Sequence, residues 1–240
     1  MESASIKILV FCTISLIYGI ALGFVTIPLS KKLTLSRTDD PGKAAPLNKA
    51  PLKIAAVCMG VTASFGIVFT IGLAGDYSLM VRNLLLLVPI FSISFVDALV
   101  RKIPNPLLLA MIAIDVVYII YECASTQKIE LLIKAFLGMF VGMLVCYIPS
   151  VLKIPMGAGD IKYSAVIGLT IYIMGYAQSM ILMSVLVALF LVYLKVTRKG
   201  GMKTQIPMGP FLSIGTVITM CVSIFELISP GITEFTNSLL

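Results

Sequence analysis

The run YSAVIGLTIYIMGYAQSMILMSVLVALFLVYL, residues 163–194, contains no Asp, Glu, Lys, Arg or His. A helix at the surface of a soluble domain needs a charged or polar face. This stretch has none, and it reads as lipid-embedded, divided into spans near 163–175 and 177–194. Further apolar spans lie near 6–29, 54–74, 83–100, 105–121, 131–149 and 210–228, eight in all. The whole chain agrees. Its 240 residues are 59% hydrophobic and 12% charged, with a mean hydropathy of +1.08, whereas a soluble domain carries roughly a quarter charged residues. No stretch alternates in polarity as a porin-like barrel strand does. We therefore expect an all-α, polytopic membrane protein of about eight transmembrane helices, forming a single integral-membrane domain over 1–240.

Charge gives an expected orientation. Loops 30–53, 100–104, 150–162 and 195–209 hold fourteen of the eighteen Lys and Arg residues. They alternate with loops holding only Lys7, Arg82, Lys128 and Lys134. The positive-inside rule puts the rich loops in the cytoplasm and both termini outside. The first span is too long for a signal-peptide core and precedes the richest basic cluster, so it reads as a retained helix. Segment 36–51, SRTDDPGKAAPLNKAP, is polar and Pro-rich and reads as mobile. The net charge of +7 thus marks a membrane topology rather than nucleic-acid binding.

Residue types narrow the chemistry. The absence of His removes Ser-His-Asp and Cys-His machinery and the HExxH zinc site. Cys12, Cys58, Cys123, Cys146 and Cys221 are scattered without a CxxC pair, so no metal site is expected and they read as small core residues. Carboxylates remain. Glu2, Asp39, Asp40, Asp76, Glu122, Glu130, Glu226 and Glu234 fall in loops, tails or span ends, and the remainder are Asp97, Asp115 and Asp160.

Asp97, in SFVDALVRKIPNPLLL, and Asp160, in IPMGAGDIKYSAVIGL, both belong at the cytoplasmic ends of their spans. Two carboxylates brought together there would share one proton, because like charges a few ångströms apart cannot both ionise. One would then serve as base and the other as acid. Plainer roles exist for each: Asp97 is spaced i,i+4 from Arg101, and Asp160 could cap the sixth helix. The Gly-Ala-Gly before Asp160 argues for more, since a cap needs no such clearance. Asp115 lies mid-span, where it would either face a water-filled cavity near the dyad or pair with a polar neighbour such as Tyr118 or Tyr121.

GAGD at 157–160 matches the GxGD signature of intramembrane aspartic proteases, and GAGDIKYSAVIGL resembles the second catalytic motif of the type IV prepilin peptidases. The first motif of that family, an Asp followed by a Pro-containing turn, is similar to Asp97 with Ile103, Pro104 and Asn105. The block IPMGPFLSIG at 206–215 resembles its Pro-x-Gly-Pro stretch through Pro207, Gly209 and Pro210. The presenilin branch would require a Tyr-Asp pair and a Pro-Ala-Leu motif, and the sequence has neither.

This resemblance implies that Asp97 and Asp160 form a catalytic dyad, with Gly157 and Gly159 as motif glycines. Lys162 would be the basic residue that tunes the dyad or snorkels to the interface. It implies a substrate that is a prepilin or pseudopilin precursor of type IV pilus or secretion systems. Its short basic leader is cut after a Gly at the cytoplasmic face of the cell membrane, while its hydrophobic helix stays in the bilayer. Many members also have a zinc-binding Cys-pair domain between the first two spans and methylate the new N-terminus with S-adenosylmethionine. Loop 30–53 has no Cys and is too short for such a domain, so proteolysis without a cofactor is expected and methylation is doubtful. Gly138 and Gly142 form a GxxxG that either receives the substrate helix or, more simply, packs two of the protein's own helices. The competing class is a small proton-coupled transporter or channel, which would use intramembrane acids such as Asp115. Sequence leaves the oligomeric state open.

Overall fold

The structure is a computed structural model that describes residues 2–38, 40–127, 129–151, 157–198 and 206–222. Among the described residues it is all helix: α1 (Glu2–Leu35), a 3-10 helix (Pro41–Asn48), α2 (Ala50–Ile67) running into a π turn (Val68–Gly72), α3 (Tyr77–Val100), α4 (Asn105–Thr126), α5 (Glu130–Val151), α6 (Ala158–Val196) and α7 (Met208–Cys221). Six of these, α1 to α6, are long and apolar enough to cross a membrane. The chain is thus a multi-pass membrane protein. α3 is the central rod, two-thirds buried over its most apolar stretch, and the other long helices expose most of theirs.

The 39 residues of α6 would reach about 58 Å if straight, nearly twice the ~30 Å hydrocarbon core of a bilayer. They are not straight. Tyr172 has φ 56° and ψ −174°, and the helix breaks there. Beyond the break the chain doubles back: Tyr176 Oη lies 2.6 Å from Ser164 Oγ, a pair that a continuous helix would separate by about 18 Å along its axis. The first half, 158–171, rises from the Asp160 end for about 21 Å, and the second half returns beside it.

Close approach of α5 makes room for this hairpin. A Cβ on Gly168 would collide with the Gly138 carbonyl oxygen, and one on Gly142 would sit 2.5 Å from that of Ser164. The GxxxG of α5 is therefore consumed in packing against the first half of α6. It offers no seat to a substrate helix, which settles the alternative left open by sequence.

Two further expectations change. Eight full spans are only partly matched: the first half of α6 and the 14-residue α7 are each too short to cross alone, and residues 223–228 of the last expected span fall outside the described residues. The 36–51 segment takes up a 3-10 helix over Pro41–Asn48. Asp40 caps the 3-10 helix by accepting from Gly42 N at 2.9 Å, Pro41 opens the first turn, where a missing N–H costs nothing, and Ala44 and Leu47 are buried.

Candidate active site

α3 ends because Arg101 turns left-handed, at φ 55°, with its N–H still bonded to the Asp97 carbonyl. The chain then passes through buried Ile103 and Pro104, and Pro104 starts α4 at Asn105 as its N-cap residue. This turn fixes Asp97 one helical turn above the break, with the residue only 4% exposed. A buried carboxylate needs a donor. One arrives from α7, whose first turn presents unbonded N–H groups: Gly209 N donates to Asp97 Oδ2 at 2.9 Å. Pro207 is the N-cap of α7, and Pro210 has no N–H to leave unsatisfied. The 206–215 block therefore acts as a backbone clamp on Asp97. The spacing signals Gly209 because only a residue without a side chain fits: a Cβ there would lie 2.7 Å from Asp97 Oδ2.

Asp160 stands in the first turn of α6, behind Gly157, which is the N-cap residue. It is thus not the cap itself. Its carboxylate accepts the Gly157 backbone N–H, the reciprocal half of a capping box. The two motif glycines do separate jobs. A Cβ on Gly157 would meet Asp160 Oδ2 at 2.8 Å, and one on Gly159 would press Ile103 Cβ at 3.2 Å. Gly157 clears space for the carboxylate, while Gly159 lets the turn after α3 come close to the start of α6. That approach brings the two motifs together.

Both carboxylates line one cleft of about 300 Å³. Asn105, Gly157, Ala158, Gly159 and Ile103 complete its wall, and Arg37, Arg101, Lys102 and Lys162 give it a cationic rim. Lys162 is exposed there. Arg37 is the part the sequence did not signal: it comes from the turn after α1, with Nη1 3.5 Å from the Ile103 carbonyl oxygen. Behind the cleft, the fully buried Tyr163 shares a 2.7 Å hydrogen bond with Ser213, joining α6 to α7.

Asp115 lies elsewhere. It does not pair with Tyr118 or Tyr121 as expected; it accepts from Arg82 at 2.6 and 2.8 Å and from Thr170 Oγ1 at 2.6 Å. Arg82 is not a loop residue but a buried member of α3, with the Tyr118 ring 4.8 Å from its Cζ.

Two carboxylates from helices distant in sequence, set in one polar cleft of a helical membrane bundle, define an acid-base site capable of aspartic-protease chemistry. Residues 84–194, a little under half of the chain, match the sequence model of the type IV leader peptidase family. The match takes in Asp97, Asp160 and the α6 hairpin; the 206–215 block and loop 30–53 lie outside it. No curated protein and no solved structure matches the chain. The matched family implies a protease, a hydrolase, acting on prepilin-type substrates in general.

Proposed function

We propose that Asp97 and Asp160 are the catalytic pair of a leader peptidase, cutting the short basic leader from a prepilin-like precursor at the cytoplasmic face. The observation that carries this reading is the shared cleft, which unites the two motif carboxylates although 63 positions separate them in the chain. One carboxylate, ionised, takes a proton from a water that attacks the scissile carbonyl carbon. Its protonated partner donates to the carbonyl oxygen as negative charge develops there. Collapse of the tetrahedral intermediate returns a proton to the leaving amine and frees the leader as a carboxylic acid, with no acyl-enzyme. The Gly209 N–H on Asp97 orients that carboxylate throughout. The rim carries four cations against two acids, so the leader's own basic residues are best accommodated outside the cleft, with its terminal Gly inside. Replacing that Gly by Val should block processing; equal cleavage of both precursors would contradict the fit.

The transporter reading needs a mid-membrane acid facing a path. Asp115 is fully buried and held by Arg82 and Thr170 instead, which favours the peptidase.

Orientation rests on the basic loops. Reporter fusions within 36–50, 155–158 and 199–203 should read cytoplasmic, and those at both termini external. An external reading at 155–158 would put Asp160 on the wrong side for a cytoplasmic leader.

Proteolysis here is proposed to run without methyl transfer. A methyl donor with an adenine, a ribose and a sulfonium calls for acidic or aromatic partners at the cytoplasmic mouth. Asp40 is engaged in capping its own 3-10 helix, and the short segment packs against the bundle through Ala44 and Leu47 rather than forming a domain. The described residues of this segment do not fit the donor. With enzyme, precursor and labelled S-adenosylmethionine, the mature N-terminus should show no added mass; an enzyme-dependent gain of one methyl group overturns this.

A further inference from the structure

The two helices that carry the carboxylates are tied together a second time, far from the cleft. Arg82 stands fifteen residues before Asp97 on α3, about 22 Å along the axis, and Thr170 stands ten residues after Asp160, about 15 Å along the first half of α6. Arg82 Nη2 donates to the Thr170 carbonyl oxygen at 2.5 Å while Nε and Nη2 hold Asp115 of α4. The Thr170 hydroxyl closes the triangle on Asp115 Oδ2. Arg82 is 4% exposed, and Asp115 and Thr170 are fully buried.

The α6 break explains why a cation is needed here. In a continuous helix the Thr170 carbonyl would accept from residue 174, and the non-helical Tyr172 interrupts that ladder. The first half of α6 therefore ends with a carbonyl outside the ladder, at the negative end of its dipole and inside the bundle. A guanidinium satisfies both. Its planar fork holds Asp115 through Nε and Nη2 while Nη2 also reaches Thr170, a fixed geometry that a flexible ammonium does not impose.

We propose that Arg82, with Asp115 and Thr170, is a positioning device that sets the height of the first half of α6 beside α3, and thereby the placement of Asp160 relative to Asp97. α3 stays helical from Arg82 to Asp97 although Pro89 lies between them, and the first half of α6 is helical from Asp160 to Thr170, so an axial slip at the tie is carried toward the cleft. An offset of about 1 Å at reacting groups costs on the order of a hundredfold in rate. This inference rests on the dyad assignment for its catalytic consequence, while the geometry it asserts does not.

The test uses Arg82→Met with Asp115→Leu, which removes both charges together and so avoids leaving one buried without its partner. Spin labels at Ala98→Cys on α3 and Ala158→Cys on α6, both exposed positions, in a chain whose native cysteines are replaced, report the separation directly. The double variant should fold, give a shifted or broadened label distance, cleave at least tenfold more slowly and show a pH–rate profile of altered shape. A merely structural role would scale the rate down at every pH and leave the distance unchanged, and that result overturns the proposal. Should the double variant not fold, Arg82→Lys, which keeps the charge and loses the fork, is read in the same two ways with the same outcomes. If the unmodified enzyme cleaves no precursor, the peptidase reading fails, and the label distance still decides the geometry.

Discussion

Asp97→Asn and Asp160→Asn should each lower precursor cleavage by at least four orders of magnitude, to the background of the assay, while the purified protein keeps its helical signal and its elution position in detergent. An amide of the same size can neither take the proton from water nor share one with its partner. In Asp97→Asn the Gly209 N–H can still bond to the side-chain amide oxygen that replaces the carboxylate, so the α7 clamp survives and the loss is chemical. A loss this large corresponds to roughly 5 kcal/mol or more of transition-state stabilisation. Either single variant turning over within tenfold of the unmodified enzyme would remove that carboxylate from the mechanism.

Gly209→Ala is expected to lower cleavage about a hundredfold although both carboxylates are kept. The added Cβ would lie 2.7 Å from Asp97 Oδ2 and 2.9 Å from its Cβ and Cγ, contacts that real structures do not tolerate. Asp97 is buried and has little room to turn away, so α7 or the carboxylate must shift by a fraction of an ångström to about an ångström, which is costly at a reacting group. Measured kcat should fall while the folded yield stays near normal. Wild-type kcat in Gly209→Ala would mean that α7 does not hold Asp97 in the working enzyme.

What the sequence revealed and what it hid follow from the range of the forces. Hydropathy is a local sum, so the membrane helices could be read directly. The candidate site residues stood out through motif resemblance, and the structure gives their local setting: Gly157 beside Asp160, a Pro104 turn after Asp97, and a bare Gly209 where the Asp97 carboxylate crowds the backbone. The position of the α6 break was not legible. Gly175 is the residue a turn would choose on local grounds, yet the chain breaks at Tyr172, a bulky residue at positive φ that only surrounding packing can hold there. The Arg82–Asp115 pair was hidden for a similar reason, as it joins residues 33 apart on two helices whose relative rotation is set by the whole bundle. A mid-span acid does demand a partner, and that demand was the available signal. In loop 30–53 the polar composition suggested mobility and masked a cap-and-proline start at Asp40 and Pro41, followed by two apolar residues that bury.

The central claim is that this cleft hydrolyses one peptide bond at the end of a basic leader, using two carboxylates. Its most direct test is the intact mass of a membrane-embedded prepilin-like precursor after incubation with the purified protein, run beside the Asp97→Asn, Asp160→Asn double variant. A single new species with the leader removed after its terminal Gly is expected from the unmodified enzyme and none from the double variant. An unchanged precursor with the active preparation, or the same product from both proteins, would contradict it.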